Sequence, residues 1–125
     1  MKYVCLVFSD ERSLNVLPLQ EMDYLRAACL AFDQELRASG QLLAAGALAP
    51  VGAATVVRVR NGRLGTTDGS RIGMPGDLSG FYLIEAKDLN DAIRIASRMP
   101  AARVGAVEVR PVTESTPFPE ETCPT

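Results

Sequence analysis

The first strand of the chain limits its fold more than any other segment, because it is apolar at nearly every position. Residues 2–8 read KYVCLVF, whereas a strand with one wet face alternates apolar and polar side chains. Such a strand has to be covered on both faces. With 125 residues, of which 47% are hydrophobic, the chain forms one globular domain that can bury a core of its own.

A stripe of apolar residues predicts a long amphipathic helix between residues 19 and 39. The stripe has helical spacing, and Gly40 follows it as a stop signal. A second helix is predicted from Leu89 to Met99, because Asp88 is a suitable N-cap and Pro100 ends the pattern. The members of the first stripe are Met22, Leu25, Cys29, Phe32 and Leu36.

Further apolar runs predict strands at 42–48, 81–85 and 106–112. Before the second of these runs, Val57 and Val59 alternate with arginines, and the pair Asn61-Gly62 follows. Asn-Gly between alternating runs is a strong hairpin signal, because a type I′ turn needs positive φ at both central residues. Six of the ten glycines lie between 62 and 80, so the segment 67–80 is predicted to be a loop.

The order of the elements predicts an α+β fold with a ferredoxin-like βαββαβ core, an extra hairpin and an antiparallel sheet. Two short βαβ units in so small a chain place both helices on one face of the sheet. The other face then needs a cover, and a second copy of the protein is the simplest one, so we expect a homodimer. Residues 113–125 contain three prolines and three glutamates and are predicted to form an extended tail after a domain of residues 1–112.

Composition narrows the possible functions. The chain contains no histidine, which excludes histidine triads, histidine metal sites and histidine pH switches. A net charge of -2 provides no overall electrostatic attraction for nucleic acid or anionic membranes. No apolar run approaches the ~20 residues of a membrane span. Three cysteines without paired spacing indicate neither a disulfide framework nor a zinc site, which favours a reducing cytoplasm.

Several segments carry a resemblance to a known family. They read KYVCLVF, ELRASGQLLAAGALAP, TVVRVRNGR followed by TDG, GFYLIEAKDLNDAIRIA and PAARVGAVEVRPV. Together they resemble, over about residues 1–112, the YCII-related family in its DGPF-type branch. The resemblance implies a dimeric α–β barrel of ferredoxin-like protomers, in a superfamily that includes muconolactone isomerases and small monooxygenases. The chain departs from the family in its DGPF motif, where Ser70 and Arg71 follow Asp68-Gly69, and at Cys29, where many members have a histidine.

Two candidate site residues lie in the glycine-rich segment. Asp68 is the acidic residue that the resemblance carries over, and it is a possible general base or a ligand for a hydroxyl group; alternatively, Asp before Gly is ordinary turn chemistry. Arg71 has the geometry to hold a carboxylate with its guanidinium, or it is an exposed loop residue.

Further candidates lie on the strands and the first helix. Glu108 and Arg110 share a strand face, so they either project into a cavity toward the partner or neutralise each other. Tyr3 and Tyr82 lie on strands expected to be central, where a phenol either binds a polar ligand or packs in the core. Cys29 lies within the apolar stripe, where a thiol is usually a small inert hydrophobe.

These observations favour one function over a second. The absence of histidine and the altered DGPF motif favour a small-molecule-binding or regulatory module that uses a cavity at the dimer barrel. The alternative is a cofactor-independent isomerase or lyase that acts on a small carboxylated or cyclic metabolite, with Asp68 or Glu108 as base and Arg71 or Arg110 holding the substrate's anion. Neither a cofactor nor a metal is predicted.

Overall fold

The computed structural model describes residues 1–9, 16–68 and 77–113. Within these ranges the order of strands and helices is the predicted one, with a short 3₁₀ turn at Val51–Ala53 and a third, short helix added. The elements are β1 (Lys2–Ser9), α1 (Leu19–Ala38), β2 (Leu42–Ala47), β3 (Thr55–Arg60), β4 (Arg63–Asp68), β5 (Asp77–Glu85), α2 (Leu89–Ser97), α3 (Ala101–Val104) and β6 (Gly105–Pro111).

The main sheet has four antiparallel strands in the order β2-β5-β1-β6. The doubly apolar strand β1 lies in the middle, where Tyr3 is opposite Ile84 of β5 on one side and Pro111 of β6 on the other. The prediction of an α+β, ferredoxin-like protomer is therefore confirmed.

One face of this sheet packs against the helices and forms the core. Alternate residues of β1 point to this face, because side chains along a strand alternate between its two sides. They meet the apolar stripe of α1 and the buried side of α2. The core comprises Tyr3, Cys5, Phe32, Leu36, Ile84, Ala86, Ala92, Ile95, Ala96 and Met99.

The opposite face of the sheet, here called the open face, carries the other residues of β1. Val4 lies opposite Leu83, and Leu6 lies opposite Phe81. All four of these aliphatic and aromatic side chains remain partly exposed in the single chain. They form an apolar surface that lies outside the core cluster.

Strands β3 and β4 form a separate two-stranded sheet, here called the arm (Thr55–Asp68). Its turn confirms the hairpin prediction, because Asn61 has a φ of 52° and Gly62 a φ of 74°, as a type I′ turn requires. The cross-strand pairs sort its side chains onto two faces. Val57, Val59 and Leu64 share one face, and Arg58, Arg60 and Arg63 share the other.

Two boundaries differ from the predicted ones by two residues or more. Strand β5 begins at Asp77 rather than at residue 81, because pairing with both β1 and β2 outweighs the weak strand propensity of Gly80. The predicted loop 67–80 is thus strand at both ends, and its middle lies outside the described residues. Helix α2 ends at Ser97, where the amides of Arg98 and Met99 bond three residues back and tighten the last turn.

Candidate functional site

A phenol and a carboxylate are hydrogen-bonded to each other on the helix-facing side of the sheet. The hydroxyl of Tyr82, on β5, donates to Oδ1 of Asp33, on α1, at 2.7 Å. The ring of Phe32 meets the Tyr82 ring edge to face, with 6.2 Å between centroids. Both members of the polar pair are half-buried. The pair therefore forms a polar spot at the edge of the apolar core.

The sequence of α1 explains why Asp33 lies there. Phe32 and Leu36 are the buried residues of this helix, and Asp33 follows Phe32 by one position, at the border of the apolar stripe. Cys29 lies one helical turn before Asp33 on the same side of the helix. Burial raises the pKa of the Cys29 thiol, and the nearby charge of Asp33 raises it further. Cys29 is therefore a neutral thiol and not an activated nucleophile.

The electrostatics of the pair determine which groups it can bind. Burial raises the pKa of Tyr82, and the hydrogen bond to Asp33 adds to the effect, so the phenol stays protonated and acts as a donor. Among the described residues, Asp33 has no ion-pair partner. Arg98, which lies 5.9 Å from the centroid of the Phe32 ring, is paired with Glu35 instead. The spot thus favours hydrogen-bond donors over anions.

Two ionisable groups on the helix-facing side of the sheet, Cys5 and Tyr82, predict a loss of stability at alkaline pH. Burial raises the pKa of the Cys5 thiol from 9.0 to about 11, and the pKa of Tyr82 is raised as well. A group whose pKa is higher in the folded state stabilises the fold below its unfolded pKa, and this contribution is lost as the pH rises through the folded pKa. Urea titrations should therefore show a falling free energy of unfolding between about pH 9 and 11.

The matched comparison uses Cys5→Ala and Tyr82→Phe. Each variant removes one titrating group, so each should show a shallower loss across the same pH range than the unmodified chain, whatever its stability at pH 7. Parallel curves for all three proteins would contradict the assignment of the alkaline transition to these two groups.

The structure places the other candidates in two different environments. Tyr3 is 2% exposed in the core, and its hydroxyl donates to Sδ of Met1 at 3.8 Å. Glu108 and Arg110 lie on the open face, opposite Leu6 and Val4. Their Oε2 and Nε atoms are 3.7 Å apart, which supports mutual neutralisation. The Tyr82 pair and the Glu108 pair therefore lie on opposite faces of the sheet.

Of the two candidates from the glycine-rich segment, the structure describes the backbone of Asp68. Asp68 is the last residue of β4 and pairs with Thr55 at the base of the arm. Arg71 lies outside the described residues. In the part of the chain that the structure covers, no group of three or more Cys, Asp or Glu residues is arranged to hold a metal ion.

Sequence reasoning missed Asp33. Its signal was available, because an acidic residue directly after Phe32 and four residues after Cys29 lies at the edge of a buried helical stripe. That position forces the carboxylate to find a polar partner or stay at the boundary with solvent.

A shallow groove of about 240 Å³ lies between the two shorter helices and the edge strand β6. Its lining contains no ionisable side chain, so it offers shape and apolar surface but no acid or base. The lining residues are Ile93, Ala96, Ser97, Ala102, Val107 and Val109.

The fold and the half-buried polar pair define a small ferredoxin-like α+β protein with one polar spot beneath its first helix. The chain belongs to the YCII-related domain family, whose model matches residues 1–116. Its fold is similar to that of the 5-chloro-2-hydroxyhydroquinone dehydrochlorinase from Burkholderia phenoliruptrix AC1100, solved in complex with 2,5-dihydroxybenzoquinone. The TM-score is 0.55 at 16% identity, over 92% of this chain and 96% of that chain.

No curated protein is significantly similar to the chain in sequence. Within the described residues, none of the helices combines the length and the apolar character needed to cross a membrane.

Proposed function

We propose that this protein is a small-molecule-binding module whose ligand lies against the Tyr82–Asp33 pair. The observation that carries the proposal is a hydrogen-bonded phenol and carboxylate, both half-buried at the edge of the apolar core. A ligand site needs a few placed polar groups among apolar ones, and this pair supplies them. Cys29, which is partly exposed, lies one helical turn from Asp33 on the same side of α1.

The chemistry of the pair indicates the class of ligand. Asp33 is an acceptor, and Tyr82 remains a protonated hydroxyl that donates to it. A neutral ring that bears hydroxyl groups fits such a spot, while a carboxylate would be repelled by Asp33, which forms no ion pair among the described residues. The structural neighbour in complex with a dihydroxybenzoquinone supports a small oxygenated ring as the first class to test.

A homodimer belongs to the same proposal. The open face carries Val4, Leu6, Phe81 and Leu83, which are partly exposed in the single chain. Packing this face against the same face of a second copy would close the sheets into a barrel and remove this apolar surface from water. The family membership supports this arrangement.

Pairs of neutral and carboxylated rings test the ligand class. We expect catechol and hydroquinone to bind at least about tenfold more tightly than protocatechuate and gentisate, because one repelled charge costs at least about 1.4 kcal/mol in a site of this kind. Isothermal titration calorimetry measures the four dissociation constants. Equal affinity of the neutral and carboxylated members, or no binding by any of them, would contradict the proposal.

Variants locate the site. Asp33→Asn and Tyr82→Phe should each weaken catechol binding about tenfold, the usual effect of losing one hydrogen bond to a charged group. The matched controls are Asp23→Asn and Tyr24→Phe, which make the same chemical changes at exposed positions of α1. These controls should leave binding unchanged. Unchanged binding in the Asp33 and Tyr82 variants would place the ligand elsewhere.

The enzymatic alternative is favoured by one observation: Asp33 and a protonated Tyr82 at 2.7 Å form a base beside an acid. A cofactor-independent isomerase or lyase would use Asp33 to remove a proton and Tyr82 to stabilise the resulting oxyanion. Incubation of the ring compound that binds with equimolar protein distinguishes the two functions, because a binding module leaves the compound chemically unchanged. If turnover is found, neutral substitutions of Asp33, Asp68 and Glu108 identify the base by the variant that abolishes it.

A further inference from the structure

Strand β6 has β1 on one side and no strand of the described residues on the other. The amide of Val112 donates to the carbonyl oxygen of Lys2 at 2.9 Å, and the direction of hydrogen bonding alternates along an antiparallel pair. The register between the two strands has no shift, so the even-numbered residues of β6 bond to β1. The backbone N–H and C=O groups of Val107 and Val109 therefore point away from the sheet, where they can pair with a further strand.

The same two valines line the groove between β6 and the shorter helices. Val107 and Val109 pack against the core, so their side chains are on the helix-facing side of the sheet. Residues directly opposite each other in an antiparallel pair have their side chains on the same face. A residue bonded to Val109 would therefore direct its side chain to the groove, whose 240 Å³ is enough for an aromatic ring, since benzene fits an apolar cavity of ~150 Å³.

The chain that follows the described residues contains one aromatic residue with a proline on each side. Residues 114–125 read ESTPFPEETCPT, with Phe118 between Pro117 and Pro119. Proline has no N–H group and is tolerated in an edge strand where the N–H would face away from the sheet. Because these directions alternate along a strand, bonding Phe118 to β6 turns both proline nitrogens outward. A strand with this sequence pairs on one side only, so it would also end the sheet.

The connecting chain is long enough for Phe118 to return to the groove. Val109 and Thr113 are four residues apart, which is about 13 Å along a strand. Phe118 follows Thr113 by five residues, and five residues span up to ~17 Å when extended. Phe118 therefore reaches the level of Val109 after the chain reverses.

The charges on the two sides of this contact are opposite. Residues 87–104, which include both helices beside the groove, contain four basic and two acidic residues, whereas residues 114–125 contain three glutamates and no basic residue. The exposed Arg103 directly follows Ala102 of the groove and has no ion-pair partner among the described residues. Glu120 and Glu121, which come directly after Pro119, would thus meet a cationic surface.

We propose that residues 117–121 pair with the outer edge of β6 in the same chain and place Phe118 in the groove beside Val109. The family model ends at residue 116, so this contact is made by a segment beyond the matched domain. It covers the apolar groove and pairs the outward amides of β6 at the same time.

Amide hydrogen exchange tests the pairing, because an amide at a bare edge exchanges rapidly and one that is hydrogen-bonded is protected. In Phe118→Ser the amides of Val107 and Val109 should exchange at least about tenfold faster than in the unmodified chain, since the added strand loses its buried ring. The amides of Arg110 and Val112 bond to β1 and should exchange equally in both proteins, which excludes unfolding of the sheet.

The matched control is Cys123→Ser, which introduces serine beyond residues 117–121 and should leave all four rates unchanged. Rapid exchange at Val107 and Val109 in the unmodified chain would overturn the proposal. Equal rates in the unmodified chain and in Phe118→Ser would overturn it as well.

Photo-cross-linking shows which chain supplies the ring. Unlabelled and ¹⁵N-labelled chains are mixed, and a photo-reactive phenylalanine analogue is placed at position 118 or, as the control on the opposite face of the added strand, at position 121. We expect links from position 118 to Ile93, Val107 or Val109 of the same chain, and few such links from position 121. Links chiefly between differently labelled chains would overturn the assignment to the same chain, and equal linking from both positions would overturn the contact.

Discussion

Replacing Gly105 by alanine is expected to lower the free energy of unfolding by about 3 kcal/mol, a large part of the 5–15 kcal/mol typical of a domain. A Cβ atom at this position would lie directly against the carbonyl oxygen of Phe8 and 3.1 Å from its carbonyl carbon. Both atoms belong to the backbone of β1, so no side chain can rotate away. The start of β6 would have to separate from β1, where Gly105 pairs with Ser9.

Gly52→Ala is the matched control for this change. A Cβ at Gly52 would meet nothing within 4 Å, so the same substitution should change stability by no more than about 0.5 kcal/mol. Urea denaturation followed by circular dichroism measures both variants. Equal stability of the two variants would show that β1 and β6 separate at little cost.

Placing a lysine at Leu83 is expected to convert the proposed homodimer to a monomer. Leu83 lies on the open face between Val4 and Ala44, so a lysine there would bring one charge from each protomer into an apolar interface without a partner. The dissociation constant should rise at least about 100-fold, since an unpaired buried charge costs about 3 kcal/mol or more. Analytical ultracentrifugation over micromolar concentrations gives the dissociation constants of the unmodified chain and of Leu83→Lys.

Ala31→Lys provides the control, because it adds the same charge on the exposed side of α1. This variant should associate like the unmodified chain. The prediction is contradicted if the unmodified chain is already monomeric at ~100 μM, a concentration above the micromolar to picomolar dissociation constants of a standard-sized interface. It is also contradicted if Leu83→Lys associates as well as Ala31→Lys.

The elements of this fold follow from short-range patterns. The helical stripe from Met22 to Leu36 and the pair Asn61-Gly62 predicted α1 and the turn of the arm, because helical periodicity and positive φ are local properties. The short helix α3 was not predicted. It has only four residues after Pro100, too few to show a period.

The site was less predictable than the fold, for a reason that β1 illustrates. Alternation shows that Tyr3 and Cys5 share a face, but it does not show which face meets the helices when both faces are apolar. The hydrogen bond between Tyr82 and Asp33 joins residues 49 positions apart, and only the packing of α1 on the sheet brings them together. The shared face of Glu108 and Arg110, by contrast, follows from a spacing of two residues along one strand.

The central position of β1 also has a consequence for the order of folding. Lys2 pairs with Glu85, and Tyr3 pairs with Pro111, so the strand nearest the start of the chain finds both neighbours only after most of the sequence has been synthesised. Sheets that depend on such distant pairings fold more slowly than helical proteins of the same size, because the entropy cost of closing a long loop precedes the stabilising contacts. Until β5 and β6 are available, the apolar segment KYVCLVF has neither of its pairing partners, so its protection from aggregation depends on how quickly they reach it.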